Sequence, residues 1–214
     1  QEISDKEKET KNKNEYLNIE GVVKDFGELR AVDHFTGEVF NDEIFALLGH
    51  NGAGKTTLIN VISGVENITE GDVKLNGKSV ILDRNYLFES LGLCSQEDIF
   101  FDDLTVNEHL RYMSEIKGRN ANEEEINDLI NRIGLVSFGG TLCQNLSGGN
   151  KRKLCIALAL IGSSKLVLLD EPTSGMDVFA KRDLWKFLKN YKQNKIIILT
   201  THSLDEAEYL GDKI

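Results

Sequence analysis

The sequence has little that would tie or stiffen a chain: its 214 residues hold one proline, one tryptophan and three cysteines. Cys94, Cys143 and Cys155 are odd in number and form no C-x-x-C pair. That spacing speaks against a disulfide framework and a thiolate zinc site, and the setting it implies is a reducing one. No apolar run approaches the ~18 residues that a membrane-spanning helix requires. The longer runs, such as 196–199, have the length of strands. The chain is therefore expected to be soluble, with any membrane link lying outside it. Positive charge is also scarce, with 25 Lys and Arg against 35 Asp and Glu for a net charge of -10. Wrapping phosphate backbones needs the opposite balance, so no nucleic-acid partner is expected.

What is present is organised. Residues 1–15 are almost all charged or amide, with Ile3 the lone apolar side chain, and read as a disordered linker. The opening Gln1 suggests a piece of a longer protein. From Tyr16 onward apolar residues recur. Leu17, Ile19, Val22 and Val23 read as a strand, and Glu43 to Leu48 as a buried strand followed by a helix from Lys55 to about Ser63. Asn76-Gly77 sits between strands expected at 72–75 and 79–82, a hairpin signal. Further strands are expected at 91–94, 166–169 and 196–199. Helices are expected from a capping box at Thr105 to about Ile116, over 123–133, from about Gly149 to Ile161 and from Val178 to about Asn190. A last one runs from a second capping box at Ser203 to the chain end. Strands at both ends with helices between them imply an α/β fold in which a parallel-sheet core carries an inserted helical subdomain at about 97–162.

Two segments carry chemistry. Gly49-His50-Asn51-Gly52-Ala53-Gly54-Lys55-Thr56 satisfies G-x-x-x-x-G-K-[ST] between a strand and a helix, followed by Thr57. In that context glycines let backbone N–H groups converge on phosphate oxygens, and the helix N-terminus adds its positive end. Lys55 is then placed to neutralise β- and γ-phosphates and Thr56 to ligate Mg²⁺. His50 reads as a spacer. The apolar strand 166–169 ends in Asp170-Glu171. Beside a P-loop, Asp170 suits a second Mg²⁺ anchor, and Glu171 suits orientation or deprotonation of an attacking water.

These residues define a P-loop NTPase, and four further segments resemble the nucleotide-binding domain of the ABC transporter superfamily. Leu146-Ser147-Gly148-Gly149-Asn150 resembles the signature motif, Gln96 the Q-loop glutamine, Ser174-Gly-Met-Asp177 the D-loop and His202 the switch histidine. Phe26 stands where the family places the aromatic that stacks on adenine. The strings 45–52, 104–110, 146–154 and 173–177 resemble subfamily A, large transporters often linked to lipid movement. The resemblance covers about residues 16–214. It implies an ABC ATPase fold with an N-terminal antiparallel β subdomain, and C-terminal strands that this chain does not reach.

It also implies ATP and Mg²⁺ as cofactors, with Gln96 as a further Mg²⁺ ligand and nucleotide sensor. A second ABC nucleotide-binding domain is the implied partner, packed head to tail, so that Ser147, Gly148 and Gly149 face the partner's ATP; Asp177 is implied as a further nucleotide-binding residue. Transmembrane domains outside the chain are implied as well. The location implied is the cytosolic face of a membrane, within an integral membrane protein. Phe100 and Phe101 either line a groove that grips a transmembrane partner or belong to the subdomain core. Lys151-Arg152-Lys153 reads as basic family context or as a solvated helix start. Ser95, Asn150 and Val178 depart from the family pattern, which implies altered loop stiffness at most. A soluble ABC ATPase of the translation-factor or chromosome-maintenance type is the alternative; the acidic charge and the missing long heptad insertion disfavour it.

Overall fold

The computed structural model describes residues 16–97, 99–118, 122–162 and 164–214. The expected linker at residues 1–15 lies outside them. Two four-stranded sheets form the frame. The first is antiparallel, in the order β2-β1-β4-β5, with β1 at Tyr16–Phe26, β2 at Leu29–Phe40, β4 at Glu70–Leu75 and β5 at Lys78–Ser79. The second is parallel, in the order β3-β8-β7-β6, with β3 at Glu43–Leu48, β6 at Leu91–Cys94, β7 at Leu166–Asp170 and β8 at Ile196–Thr201.

Successive strand side chains point to opposite faces, and both faces of the parallel sheet are covered. Leu166, Leu168, Ile196 and Ile198 join a core shared with β1, β4 and helix α1, Lys55–Ile62. Val167, Leu169, Ile197 and Leu199 join a second core shared with the helices on the other side. Two-sided burial is why these strands read as unbroken apolar runs.

Helices α3 (Val106–Ile116), α4 (Glu123–Ile133) and α5 (Gly148–Leu160) lie between β6 and β7 in sequence. The Thr105 capping box forms. The Thr105 hydroxyl accepts from Glu108 N–H at 3.3 Å, while Thr105 N–H donates to Glu108 Oε2 at 2.8 Å. The Thr105 N–H holds the Glu108 carboxyl below its ordinary range. In β1 the register shifts between Ile19 and Val22, a bulge that turns both Val22 and Val23 inward.

Four expectations need correction. The strand expected at 79–82 is only the two-residue β5; Ile81 and Leu82 are exposed. β2 has no counterpart in the sequence reading. It is an edge strand in which only Val32 and Val39 are buried, so no period-2 signal marks it. Helix α2, Arg84–Ser90, is one short segment capped by Asp83 and was likewise not marked. The last helix, α7 (Leu204–Leu210), stops before the chain end. Ser203 caps it, but Glu206 turns its carboxylate to Trp185 Nε1 at 2.8 Å instead of closing the box. Residues past α7 run along β3: Ala46 N–H donates to Lys213 O at 2.9 Å, and Ile44 N–H to Asp212 Oδ2 at 2.8 Å. No helix among the described residues is long and apolar enough to cross a membrane.

Helix α5 lies directly on β6. A Cβ built on Gly92 would stand 1.8 Å from the Ala159 carbonyl oxygen. Gly92→Ala should therefore push α5 off the sheet and cost about 1–3 kcal/mol of stability. Denaturant unfolding reads this; an unchanged midpoint would show that the helix yields freely.

Candidate nucleotide and metal site

All four strands of the parallel sheet end on one edge, and the chemical groups sit in the loops that leave it. β3 runs into the loop 49–54, which wraps the start of α1. The loop is packed against β2: a Cβ on Gly54, whose φ is 84°, would meet Ala31 O at 2.2 Å. Only glycine satisfies both the left-handed backbone and that approach. Lys55 opens α1 and folds its ammonium back over the loop, donating to Gly49 O at 2.8 Å and His50 O at 3.1 Å. His50 points outward, with Nδ1 2.8 Å from Asn51 O.

β7 ends in buried Asp170, and Glu171 follows with a φ of 51°. A non-glycine residue in that region stores about 1–3 kcal/mol of strain, so its surroundings must hold it. They do so from two sides. Thr200, fully buried in β8, accepts from Glu171 N–H at 2.9 Å and donates its hydroxyl to Asp170 Oδ1. Arg152, from α5, donates to the carbonyls of Asp170 and Glu171, the latter at 3.0 Å. The Glu171 carboxylate lies 3.7 Å from Lys55 Nζ through Oε1 and 2.7 Å from His202 Nδ1 through Oε2. His202 follows β8 and is half exposed, while Glu171 and Lys55 are nearly enclosed. The three named in sequence thus form one contact chain from helix start to strand end.

A cavity of about 670 Å³ opens beside Lys55 and Glu171, lined by residues 51–57 of the loop and the α1 start, by Phe26, Arg30 and Gln96, and by Glu171. Phe26 is half exposed at the end of β1, with Lys24 Nζ 4.6 Å from its ring centroid. An aromatic face at one end and a backbone cradle with an ammonium at the other can receive a planar base and a phosphate chain.

Ser147, Gly148 and Asp177 do not line this cavity. Ser147 caps α5 by accepting from Asn150 N–H at 3.3 Å, leaving the start of that helix open to solvent. Asp177 caps α6, Val178–Tyr191, and the Ala180 N–H, then the Phe179 N–H, hold its carboxyl below its ordinary value. Phe100 and Phe101 divide. Phe100 packs on the helical core, while Phe101 is exposed and stacks on His109 at 5.8 Å.

Two residues at the site escaped the sequence reading. Thr200 lies one residue beyond the strand expected at 196–199 and carries no motif of its own. Arg152 stands in a run whose sequence reads as basic family context or as a solvated helix start, yet it is 3 % exposed. Its neighbours Lys151 and Lys153 are only half-buried, so the basic run itself does not tell which of the three turns inward.

Thr200→Val keeps shape and removes the hydroxyl that serves Asp170 and Glu171 together. It should cost about 1–3 kcal/mol, the penalty for orphaning buried polar groups. A denaturant midpoint equal to wild type would contradict the geometry.

The comparisons agree with this architecture. The family model described as "ABC transporter" matches residues 32–174, well over half of the chain. Human "Phospholipid-transporting ATPase ABCA3" is 44% identical over 186 residues, which is 86% of this chain and 11% of that protein. Mouse "Retinal-specific phospholipid-transporting ATPase ABCA4" is 41% identical over 86% of this chain and 8% of its own length. "ABC transporter A family member 6" of Dictyostelium discoideum is 41% identical over 94% of this chain and 13% of that protein. The chain thus spans about a tenth of the length of these relatives. Among solved structures, an "ATP binding subunit of ABC transporter" superposes with TM-score 0.82 at 26% identity, covering 92% of this chain and 83% of the other. The chain belongs to the ABC transporter family and is one of its ATP-binding ATPase domains.

Proposed function

We propose that this chain is the motor domain of a subfamily A transporter, in which two such domains pack head to tail around ATP and drive translocation of a lipid-class substrate. The observation that carries the reading is the run of contacts Lys55–Glu171–His202, of which Lys55 and Glu171 line a cavity edged by Phe26. The assignment to lipid rests on the likeness to phospholipid-transporting relatives.

In this reading the adenine of ATP stacks on Phe26 and its phosphates enter the loop 49–54, where Lys55 exchanges its two carbonyl partners for β- and γ-phosphate oxygens. Mg²⁺ takes few protein oxygens beside water and phosphate, and the Thr56 hydroxyl, the Asp170 carboxylate and the Gln96 amide oxygen would supply them. When bound, the ion spreads the negative charge of the transferring phosphoryl group.

Glu171 orients a water and takes its proton as the water oxygen attacks the γ-phosphorus. The bond to the β-bridging oxygen breaks and leaves ADP. His202 holds the Glu171 carboxylate and reaches toward the γ-phosphate. Ser147, Gly148 and Gly149 cap the ATP bound in the partner domain, which accounts for their open position away from this chain's cavity. Asp177 braces the junction between domains. Gln96 relays occupancy to the helical segment 97–162, and membrane domains outside this chain convert closure and reopening into transport. The chain then works at the cytosolic face of a membrane.

Glu171→Gln should keep ATP binding and lower turnover about 10²- to 10⁴-fold, read as phosphate release by the full-length transporter in lipid. Strong turnover in that variant would refute the role of Glu171. Lys55→Ala should act earlier, weakening ATP binding about 10- to 100-fold, as loss of charge-assisted hydrogen bonds predicts. Equilibrium titration with a fluorescent ATP analogue measures it; an unchanged Kd would remove Lys55 from the phosphate site.

A further inference from the structure

Arg152 stands in the first turns of α5, five residues after the N-cap Ser147, and its guanidinium spreads under two loops at once. Nε donates to Pro172 O at 3.2 Å. One terminal nitrogen donates to Ser95 O at 2.7 Å and Gln96 O at 3.4 Å. The other donates to Asp170 O and to Glu171 O at 3.0 Å. Five backbone carbonyls, from the end of β7 and the loops after β6 and β7, thus meet one buried cation. A guanidinium has five N–H donors in a rigid fork; an ammonium has three on a flexible stem. A buried charge is tolerated when its donors are used in this way.

We propose that Arg152 is a positioning residue for hydrolysis. It fixes the strained Glu171 peptide and the Gln96 loop to the start of α5, so that movement of the Ser147–Gly149 end shifts both. Glu171 holds a left-handed φ, and Thr200 restrains it only through its N–H; Arg152 restrains its carbonyl. Ser95, which departs from the family pattern, accepts from Arg152 at 2.7 Å. Occupancy of the partner's nucleotide site, sensed at the signature segment, would thereby set the placement of the water-orienting carboxylate in this one. This proposal rests on the roles given above to Glu171 and the signature segment.

The test uses the full-length transporter in lipid, with Arg152→Lys compared with wild type and Glu171→Gln. Misplacing a reacting group by about 1 Å costs on the order of 100-fold. Arg152→Lys should therefore lower kcat about 10- to 100-fold while KM for ATP stays within about twofold, since no ATP contact is removed. An unchanged kcat would overturn the proposal. So would parallel losses in kcat, ATP affinity and melting temperature, which a merely structural side chain would give. Full turnover in Glu171→Gln would sink the role of Glu171, and the proposal with it. Loss of turnover in Glu171→Gln beside a normal Arg152→Lys would sink the proposal alone. If Arg152→Lys does not accumulate, hydrogen exchange on the native protein decides. ATP should slow exchange at residues 96–97 and 170–171 in step with 147–152, as one cooperative unit; independent responses would overturn it.

Discussion

Parallel pairing of β3, β8, β7 and β6 is the constraint on which the site depends. Leu48 pairs with Thr201, Asp170 with Thr200 and Cys94 with Leu169, so the carboxyl ends of four strands share one edge. The phosphate loop, the Asp170-Glu171 pair, His202 and Gln96 each leave from a different one of those ends. In open α/β sheets this edge is where ligands bind. The two cores fix the edge in place, and the α1 helix start directs its N–H groups across it.

The edge is also where the structure holds its unfavourable groups. Lys55 and Glu171 are both nearly enclosed, and Glu171 adopts a backbone that non-glycine residues avoid. Each is compensated locally. Loop carbonyls take the ammonium, Thr200 and Arg152 take the Glu171 peptide, and His202 takes its carboxylate. Compensation of this kind is exchangeable: phosphate oxygens can replace the carbonyls on Lys55 without leaving a charge unpaired, because the incoming group is itself an anion. A fully apolar site of the same shape would be more stable and would bind nothing charged.

Much of this was legible in the residues. The buried strands announced themselves because two-sided burial demands continuous apolar runs, and the motif glycines because few other sequences close so tight a loop. β2 stayed hidden because an edge strand with one half-buried face needs only Val32 and Val39 to hold it. Helix α2 stayed hidden because seven residues with two buried carry no period. The contacts of Arg152 and Thr200 were invisible for another reason: both act on groups distant in sequence. Their meaning depends on β6, β7 and β8 being neighbours, which no local pattern states. Asp177, which its motif puts among the site residues, also caps α6 through its carboxylate.

The most direct measurement is a structure of the full-length Glu171→Gln transporter with ATP and Mg²⁺. The account predicts that Lys55 Nζ leaves the Gly49 and His50 carbonyls for β- and γ-phosphate oxygens. Phe26 should lie against adenine, and Ser147 of the partner domain should meet the same γ-phosphate. ATP found with Lys55 still bonded to its own loop, or with the Ser147 end of α5 facing solvent in a closed molecule, would contradict it.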